Sequence, residues 1–185
     1  MRAALSLIAL ALAAPASAAT VVPVDRFDAI ALVGGGEVRI RHGAVQKVTL
    51  LSGNLQVSSV AIENDRSLVI RACRRSCRDY RLIVEIVTPQ VDAVAITGGG
   101  NVVTETGFPA ARHLAASITG GGTLDLDSVP AAHVAASIQG GGLIRTDAIA
   151  NLAVSIHGGG NVTYLRNPRT TVAINGGGTV GKVGR

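Results

Sequence analysis

Three carboxylates recur at one position of a repeated glycine motif. Glu105, Asp127 and Asp147 each lie seven residues after the first glycine of a Gly-Gly-Gly triplet. If the repeats stack, three carboxylates one repeat apart could bind a cation or supply an acid–base pair for polysaccharide cleavage. Leu165 and Val183 hold this position in the next two repeats, and aspartate at a turn commonly bonds its own backbone. Turn chemistry is therefore the competing interpretation.

A second column of polar residues lies seven positions before the triplets. Its members are His113, His133, Asn151 and Arg169. Two imidazoles one repeat apart are close enough to share a metal ion, but a zinc site normally has three or four ligands and no third is evident. We interpret the column as an exposed polar edge, and we expect neither a metal nor a cofactor.

Arginines are concentrated in one segment before the middle of the chain. They are Arg66, Arg71, Arg74, Arg75, Arg78 and Arg81, with Asp65 and Asp79 among them. Such a patch could attract acidic polysaccharide, the phosphates of lipopolysaccharide or a membrane surface. The alternative is a solvated face that keeps a strand edge from pairing. Nucleic acid is not expected, because the chain has two Phe, two Tyr and no Trp to interleave with the basic residues.

Two cysteines, Cys73 and Cys77, lie inside the arginine-rich segment. A disulfide between them fits an oxidising compartment, and it would link the two sides of a hairpin at its tip, "CRRSC". The alternative, half of a metal site, lacks a second cysteine pair, and the nearest histidine is His42. We therefore predict the disulfide.

The glycine triplets themselves define a repeat. They begin at Gly34, Gly98, Gly120, Gly140, Gly158 and Gly176, and the last five are spaced 22, 20, 18 and 18 residues apart. Such spacing is typical of stacked-repeat proteins. A phosphate-binding loop would need a helix after the glycines, and a calcium-binding glycine-rich coil would need an aspartate among them. We interpret the triplets as structural turns, where glycine adopts positive φ without a Cβ clash.

Apolar residues alternate with small or polar ones on both sides of the triplets. Two positions before the last five triplets stand Ile96, Ile118, Ile138, Ile156 and Ile174. Period-two alternation indicates strands with one buried face. Two short strands and two turns in 18 to 22 residues make one coil of a parallel β-solenoid, in which the isoleucines form a continuous buried seam. We therefore predict an all-β fold.

The first residues have the pattern of a cleaved secretory signal. Arg2 is followed by an apolar run from Ala3 to Ala14 and by small residues at Ala16 and Ala18, and the run is too short to span a membrane. We predict a signal peptide over 1–18 and a single domain over 19–185. The formal charge of +5 falls to +4 without Arg2.

The predicted domain has two parts of different regularity. Residues 19–90 contain irregularly spaced strand patterns, and residues 91–185 contain the regular coils. The Val, Ile, Leu and Ala positions of both parts must build the core, because aromatic residues are so few.

The order of these parts resembles the head GIN domain family, which is named for auto-transporter adhesins. The resemblance is carried by "FDAIALVGGGEVRIRHG", "SLVI", "VTPQVDAVAITGGGNV" and the recurring apolar-x-Ile-x-Gly-small-Gly units. It implies a flattened, right-handed parallel β-helix on an exported bacterial envelope protein, and the sterics of crossover connections favour the same hand. The family typically has Gly-Ser-Gly where this chain has Gly-Gly-Gly, and the resemblance transfers no catalytic residue.

These observations favour an exported, non-enzymatic adhesion, binding or structural module in the periplasm or at the cell surface. The expected partner is an envelope or cell-surface component, such as an anionic glycan or lipopolysaccharide. The last repeat, "NGGGTVGKVGR", has no amphipathic cap, so we also expect self-association, unless the N-terminal segment covers that end. The alternative function is a glycan-active enzyme or a cation-dependent polysaccharide binder that uses the carboxylate column.

Replacing all three column carboxylates, Glu105, Asp127 and Asp147, by Asn tests these two functions against each other. A non-enzymatic module is expected to keep its fold and its binding almost unchanged, because the carboxylates then serve only turns. Circular dichroism and polysaccharide retention measure the two properties. Loss of an activity in a variant that still folds would favour the enzyme or the cation-dependent binder.

Overall fold

The computed structural model describes residues 19–63, 66–73 and 80–183. All regular elements in these ranges are strands, and the ranges contain no helix of the length and apolarity that a membrane span requires. The strands are β1 (Thr20–Val22), β2 (Ala29–Val33), β3 (Glu37–His42), β4 (Lys47–Ser52), β5 (Ser59–Glu63), β6 (Ser67–Arg71), β7 (Ile83–Thr88), β8 (Ala93–Gly98), β9 (Asn101–Thr104), β10 (Ala111–Gly120), β11 (Thr123–Gly140), β12 (Leu143–Gly158), β13 (Asn161–Tyr164), β14 (Arg169–Asn175) and β15 (Thr179–Lys182).

The strands form two stacks around one core. One stack has the order β5, β6, β2, β8, β10, β11, β12, β14, and we call its outer surface the alanine face. The other has the order β1, β4, β7, β3, β9, β11, β12, β13, β15, and we call its outer surface the charged face. Strands β11 and β12 belong to both stacks, because each continues around the corner opposite the glycine turns. The predicted all-β parallel solenoid is confirmed.

The isoleucine seam stacks as the sequence predicts. Ile118 pairs with Ile96 on one side and with Ile138 on the other, and Ile156 continues the column. These four side chains are at most 1% exposed. Each should contribute roughly 1.5–3 kcal/mol through burial. Ile174 also lies in register, opposite Ile156, but it is 42% exposed because it belongs to the last described coil.

Successive glycine turns are joined by backbone hydrogen bonds. The amide of Gly141, for example, donates to the carbonyl of Gly120 at 2.9 Å. A Cβ on Gly140, whose φ is +127°, would lie 2.3 Å from that same carbonyl oxygen. The middle glycine of the triplet, Gly141, has no atom within 4 Å of the corresponding position. The turns therefore require glycine at their first position and leave the middle position open, which is where the resembled family typically has serine.

The first glycine coil does not lie at the end of the stack. β2 and β3 pair with β8 and β9 on one side, and with β6 and β7 on the other. The chain therefore leaves this coil, builds a further coil outside it and then returns to its inner side.

β6 and β7 do not form the hairpin that the sequence suggested. β6 pairs with β2 and β5 on the alanine stack, whereas β7 pairs with β3 and β4 on the charged stack. Ala72 donates to the carbonyl of Val33, and Leu82 accepts from the amide of Glu37, so the two ends of the segment between them lie beside the glycine turn that begins at Gly34. The interior of that segment, 74–79, lies outside the described residues.

Antiparallel strands cover the outer coil. β5 pairs with β6, and β4 pairs with β7 and in turn with β1. Leu68, Ile70, Val84 and Ile86 of that coil are fully buried as a result. The N-terminal segment thus covers the end of the stack opposite to β14 and β15, and the expectation that it covers the last repeat is wrong.

Gly140→Ala and Gly141→Ala form a matched pair of variants for the turn geometry. Gly140→Ala is expected to lower the free energy of unfolding by about 1–3 kcal/mol or more, because the added Cβ clashes with the carbonyl of Gly120 and the φ of this position is unfavourable for alanine. Gly141→Ala should stay within about 1 kcal/mol of the parent, since its Cβ enters open space. Urea unfolding measures both. Equal losses in the two variants would contradict the stacked-turn account.

Candidate functional site

The alanine face carries two adjacent outward columns of small side chains. One column aligns Ala93, Ala115, Ala135 and Ala153 across four neighbouring strands. The column beside it aligns Ala95, Ser117, Ser137, Ser155 and Ala173. Both continue onto β2 through Ala29 and Ala31. These positions alternate with the buried valines and isoleucines, so the same period that builds the core also aligns the small residues outside.

The small residues form the floor of a shallow groove. Its volume is about 450 Å³, and it runs across the strands, along the direction in which the coils stack. The floor is low because methyl and hydroxymethyl groups are shorter than the side chains in the flanking columns. Sequence reasoning treated these columns only as spacers between apolar positions. The signal that could have found the groove is side-chain size, because both columns consist of Ala, Ser and Thr from β8 to β14.

The wall farther from the glycine turns is the predicted histidine column. The rings of His113 and His133 stack with their centroids 5.1 Å apart. Asn151 follows, with its amide nitrogen 3.0 Å from Nδ1 of His133, and Arg169 pairs with Asn151 on the next strand. The structure therefore brings all four residues together in one exposed column.

The other wall lies beside the glycine turns. It consists of exposed polar residues in register, namely Thr97, Thr119, Gln139, His157 and Asn175. Val33 and Arg71 extend this wall toward the covered end of the stack. A ligand on the floor would therefore lie between imidazole and amide groups on both sides, with the threonine hydroxyls only on the side of the glycine turns.

The predicted arginine patch is partly neutralised by carboxylates. Both terminal nitrogens of Arg71 donate to the carboxylate of Glu63, and this guanidinium lowers the pKa of Glu63. Arg66 pairs with Asp28 at 2.7 Å. Arg81 is exposed.

Four predicted residues of this segment lie outside the described residues, namely Arg74, Arg75, Cys77 and Arg78. The disulfide between Cys73 and Cys77 and the joint anion site of these arginines therefore stay predictions.

The three column carboxylates lie at the charged face, and each pairs with a different arginine. Glu105 lies 3.2 Å from Arg41, Asp127 lies 2.9 Å from Arg145, and Asp147 lies 2.6 Å from Arg166. Asp147 is 5% exposed, so replacing it by Asn removes the negative charge that faces Arg166 at a nearly buried position.

The register also separates two of these carboxylates. Leu126 pairs with Thr146, but the next pair joins Pro130 to Asp147, so residues 127–129 bulge out of the ladder. Asp127 and Asp147 are consequently not opposite each other. Within the described ranges, no group of three His, Cys, Asp or Glu residues is arranged to hold a metal ion.

Fold and surface together define a β-solenoid with one groove-bearing face and one ion-paired face. Residues 26–181 match the family model described as "Putative auto-transporter adhesin, head GIN domain", and the chain belongs to this family. Membership supports a non-enzymatic binding module.

Solved structures are similar to this chain at low sequence identity. A putative adhesin from Bacteroides fragilis is 16% identical with a TM-score of 0.54, covering 90% of this chain and 96% of that one. A putative adhesin from Parabacteroides merdae is 17% identical with a TM-score of 0.43, and a putative lipid binding protein from Parabacteroides distasonis is 14% identical with a TM-score of 0.38; both comparisons cover 90% of this chain and 96% of the other. No curated protein matched the sequence.

Asp125→Asn tests the electrostatics of the charged face. Burial, and then the charge of Asp127, raise the pKa of Asp125, although Arg145 partly opposes the shift. A carboxyl group whose pKa is higher in the folded state than in the unfolded state stabilises the fold when the pH is below its unfolded-state pKa. This contribution is lost as the pH rises through its folded-state pKa. Asp125→Asn is therefore expected to raise Tm modestly at neutral pH, with a difference that shrinks below about pH 3.9.

The matched control is Asp25→Asn, because Asp25 is exposed at the covered end of the stack. Thermal unfolding, followed by circular dichroism, compares the Tm of both variants with that of the parent at neutral pH and again below about pH 3.9. A lower Tm of Asp125→Asn at neutral pH would show that attraction to Arg145 outweighs burial.

Proposed function

We propose that this protein is an exported, non-enzymatic adhesion module that holds an anionic glycan of an envelope or cell surface in the alanine-face groove. The observation that carries the proposal is the groove itself, with its floor of Ala and Ser between two ladders of polar side chains. The predicted signal peptide and the adhesin family support export and a surface location.

A polymer with a regular repeat suits this groove better than a compact ligand. Equivalent side chains recur from strand to strand, at the strand spacing of about 4.8 Å. Ser117, Ser137 and Ser155 offer three hydroxyls in a row on the floor. Each coil thus presents a polar side chain at the same height on each wall, and three successive coils add a serine hydroxyl on the floor.

The charged groups beside the groove favour an anionic ligand. Arg169 ends the histidine wall, and it is exposed without an ion pair in the described part of the chain. The groove floor and its lining contain no carboxylate. An anionic chain would therefore meet attraction at one end and no repulsion along the floor.

The ion pairs of the charged face argue against the alternative function. Glu105, Asp127 and Asp147 are each satisfied by a different arginine, so binding a cation would first require breaking those pairs. The binding experiment described next also monitors whether the protein cleaves a glycan.

The experiment measures retention of the purified protein on immobilised acidic polysaccharides, neutral polysaccharides and lipopolysaccharide. Retention on anionic glycans that weakens with rising salt supports the proposal. The lipopolysaccharide arm separates a lipid-linked ligand from a free polysaccharide. Release of shortened glycan, or equal retention on neutral chains, would overturn it.

Ser137→Glu tests the location of the site. This substitution places a longer, negative side chain on the groove floor and is expected to lower retention about tenfold or more. Thr163→Glu is the control, because it makes the same charge change at an outward position of the charged face, opposite Arg145. An equal effect of both variants would show that net charge, not the groove, governs retention.

A further inference from the structure

The last described coil leaves core positions open. Val172 and Ile174 are 44% and 42% exposed, whereas the residues opposite them on β12, Val154 and Ile156, are 4% and 0% exposed. Among the described residues, β14 pairs with β12 alone and β15 with β13 alone. Over the ranges that the structure describes, both stacks therefore end in an unpaired strand edge, with apolar side chains between the two edges.

The opposite end of the same molecule shows how such a coil is completed. There β5 adds antiparallel to β6, and β4 adds antiparallel to β7, one strand on each stack. Ile70 and Ile86 are fully buried as a result. The fold therefore accepts antiparallel strands on both stacks at once, and β14 and β15 are the equivalent positions without them.

We infer that a second copy of this chain covers the last coil, in an end-to-end dimer. Consider a two-fold axis that runs normal to the two sheets, from the alanine face to the charged face. It reverses the direction of each strand and keeps the inner side of each strand facing the core. The partner's β14 would then add antiparallel to β14 while the partner's β15 adds to β15. A single symmetric contact supplies both strands and closes on itself, so no further copy is added.

The side chains at this edge suit an identical partner. Thr170, Val172 and Ile174 lie on the core side of β14, in line with the buried Leu152, Val154 and Ile156. An antiparallel copy of β14 brings apolar residues against apolar residues. Arg169 is the one charged residue of β14, at its first position, so the antiparallel partner places it near the uncharged end of the other strand.

The dimer also has an electrostatic signature. Arg169 and Lys182, the charged residues of β14 and β15, are both cationic, and Lys182 donates to Asn167 at 2.8 Å. Repulsion between the two copies falls as salt screens these charges, so association should strengthen with salt. This dependence is opposite to that expected for glycan binding, which keeps the two proposals separable.

The test is sedimentation equilibrium of the purified protein over a wide range of concentrations, with Val172→Lys and Ile174→Lys as variants. Each variant is expected to weaken dimerisation about thirtyfold or more, as loss of a central apolar anchor does. Val21→Lys is the control, since Val21 is 54% exposed on β1 at the opposite end of the stack. Circular dichroism confirms that each variant folds.

Small-angle X-ray scattering of the parent protein gives a measurement that needs no variant. An end-to-end dimer has about twice the length of the monomer along the stack, with an unchanged cross-section. A parent that stays monomeric at all concentrations would overturn the inference. A dimer that persists in both lysine variants, or one whose scattering shows side-by-side copies, would do so as well.

Discussion

Close stacking of the glycine turns is the constraint on which the rest of the structure depends. Each turn lies so near the preceding one that a Cβ on the first glycine of a triplet would lie 2.3–2.5 Å from a carbonyl oxygen, from Gly120 to Gly176. Backbone hydrogen bonds between the turns fix this approach. Because the strands on both sides start from aligned turns, the inner columns become a continuous core and the outer columns become ladders. The groove is therefore a consequence of the turns as much as of its own residues.

The regular coils could be predicted because their information is local. The alternation around each triplet identifies the strands, and the equal offsets of Ile96 to Ile156 identify the register that the structure confirms. The same local reasoning does not extend to the carboxylate column, because Asp127 and Asp147 are out of register. The triplets at Gly120 and Gly140 are 20 residues apart and the next pair 18, and the extra residues form the bulge that shifts Asp127 out of line with Asp147. Equal distance from a glycine therefore did not mean equal position in space.

The N-terminal coils could not be ordered from the sequence, because their neighbours are remote. The amide of Gly34 donates to Thr97, across more than sixty residues, and no local pattern records that contact. The groove was missed for another reason. Ionisable residues such as Glu105 and Arg71 stand out in the sequence as candidate site residues. The feature that distinguishes the alanine face is instead a lack of side-chain bulk at positions such as Ala115 and Ala135.

The order of the coils has a consequence for how the chain folds. Each coil after residue 111 packs on the one made just before it, so these coils can form in sequence with short loops to close. The coil that contains Gly34 must instead wait for residues 67–88 on one side and 93–104 on the other. Its contacts have high sequence separation, which slows folding. The N-terminal third therefore stays open until about the middle of the chain has been synthesised, whereas each later coil finds its neighbour already in place.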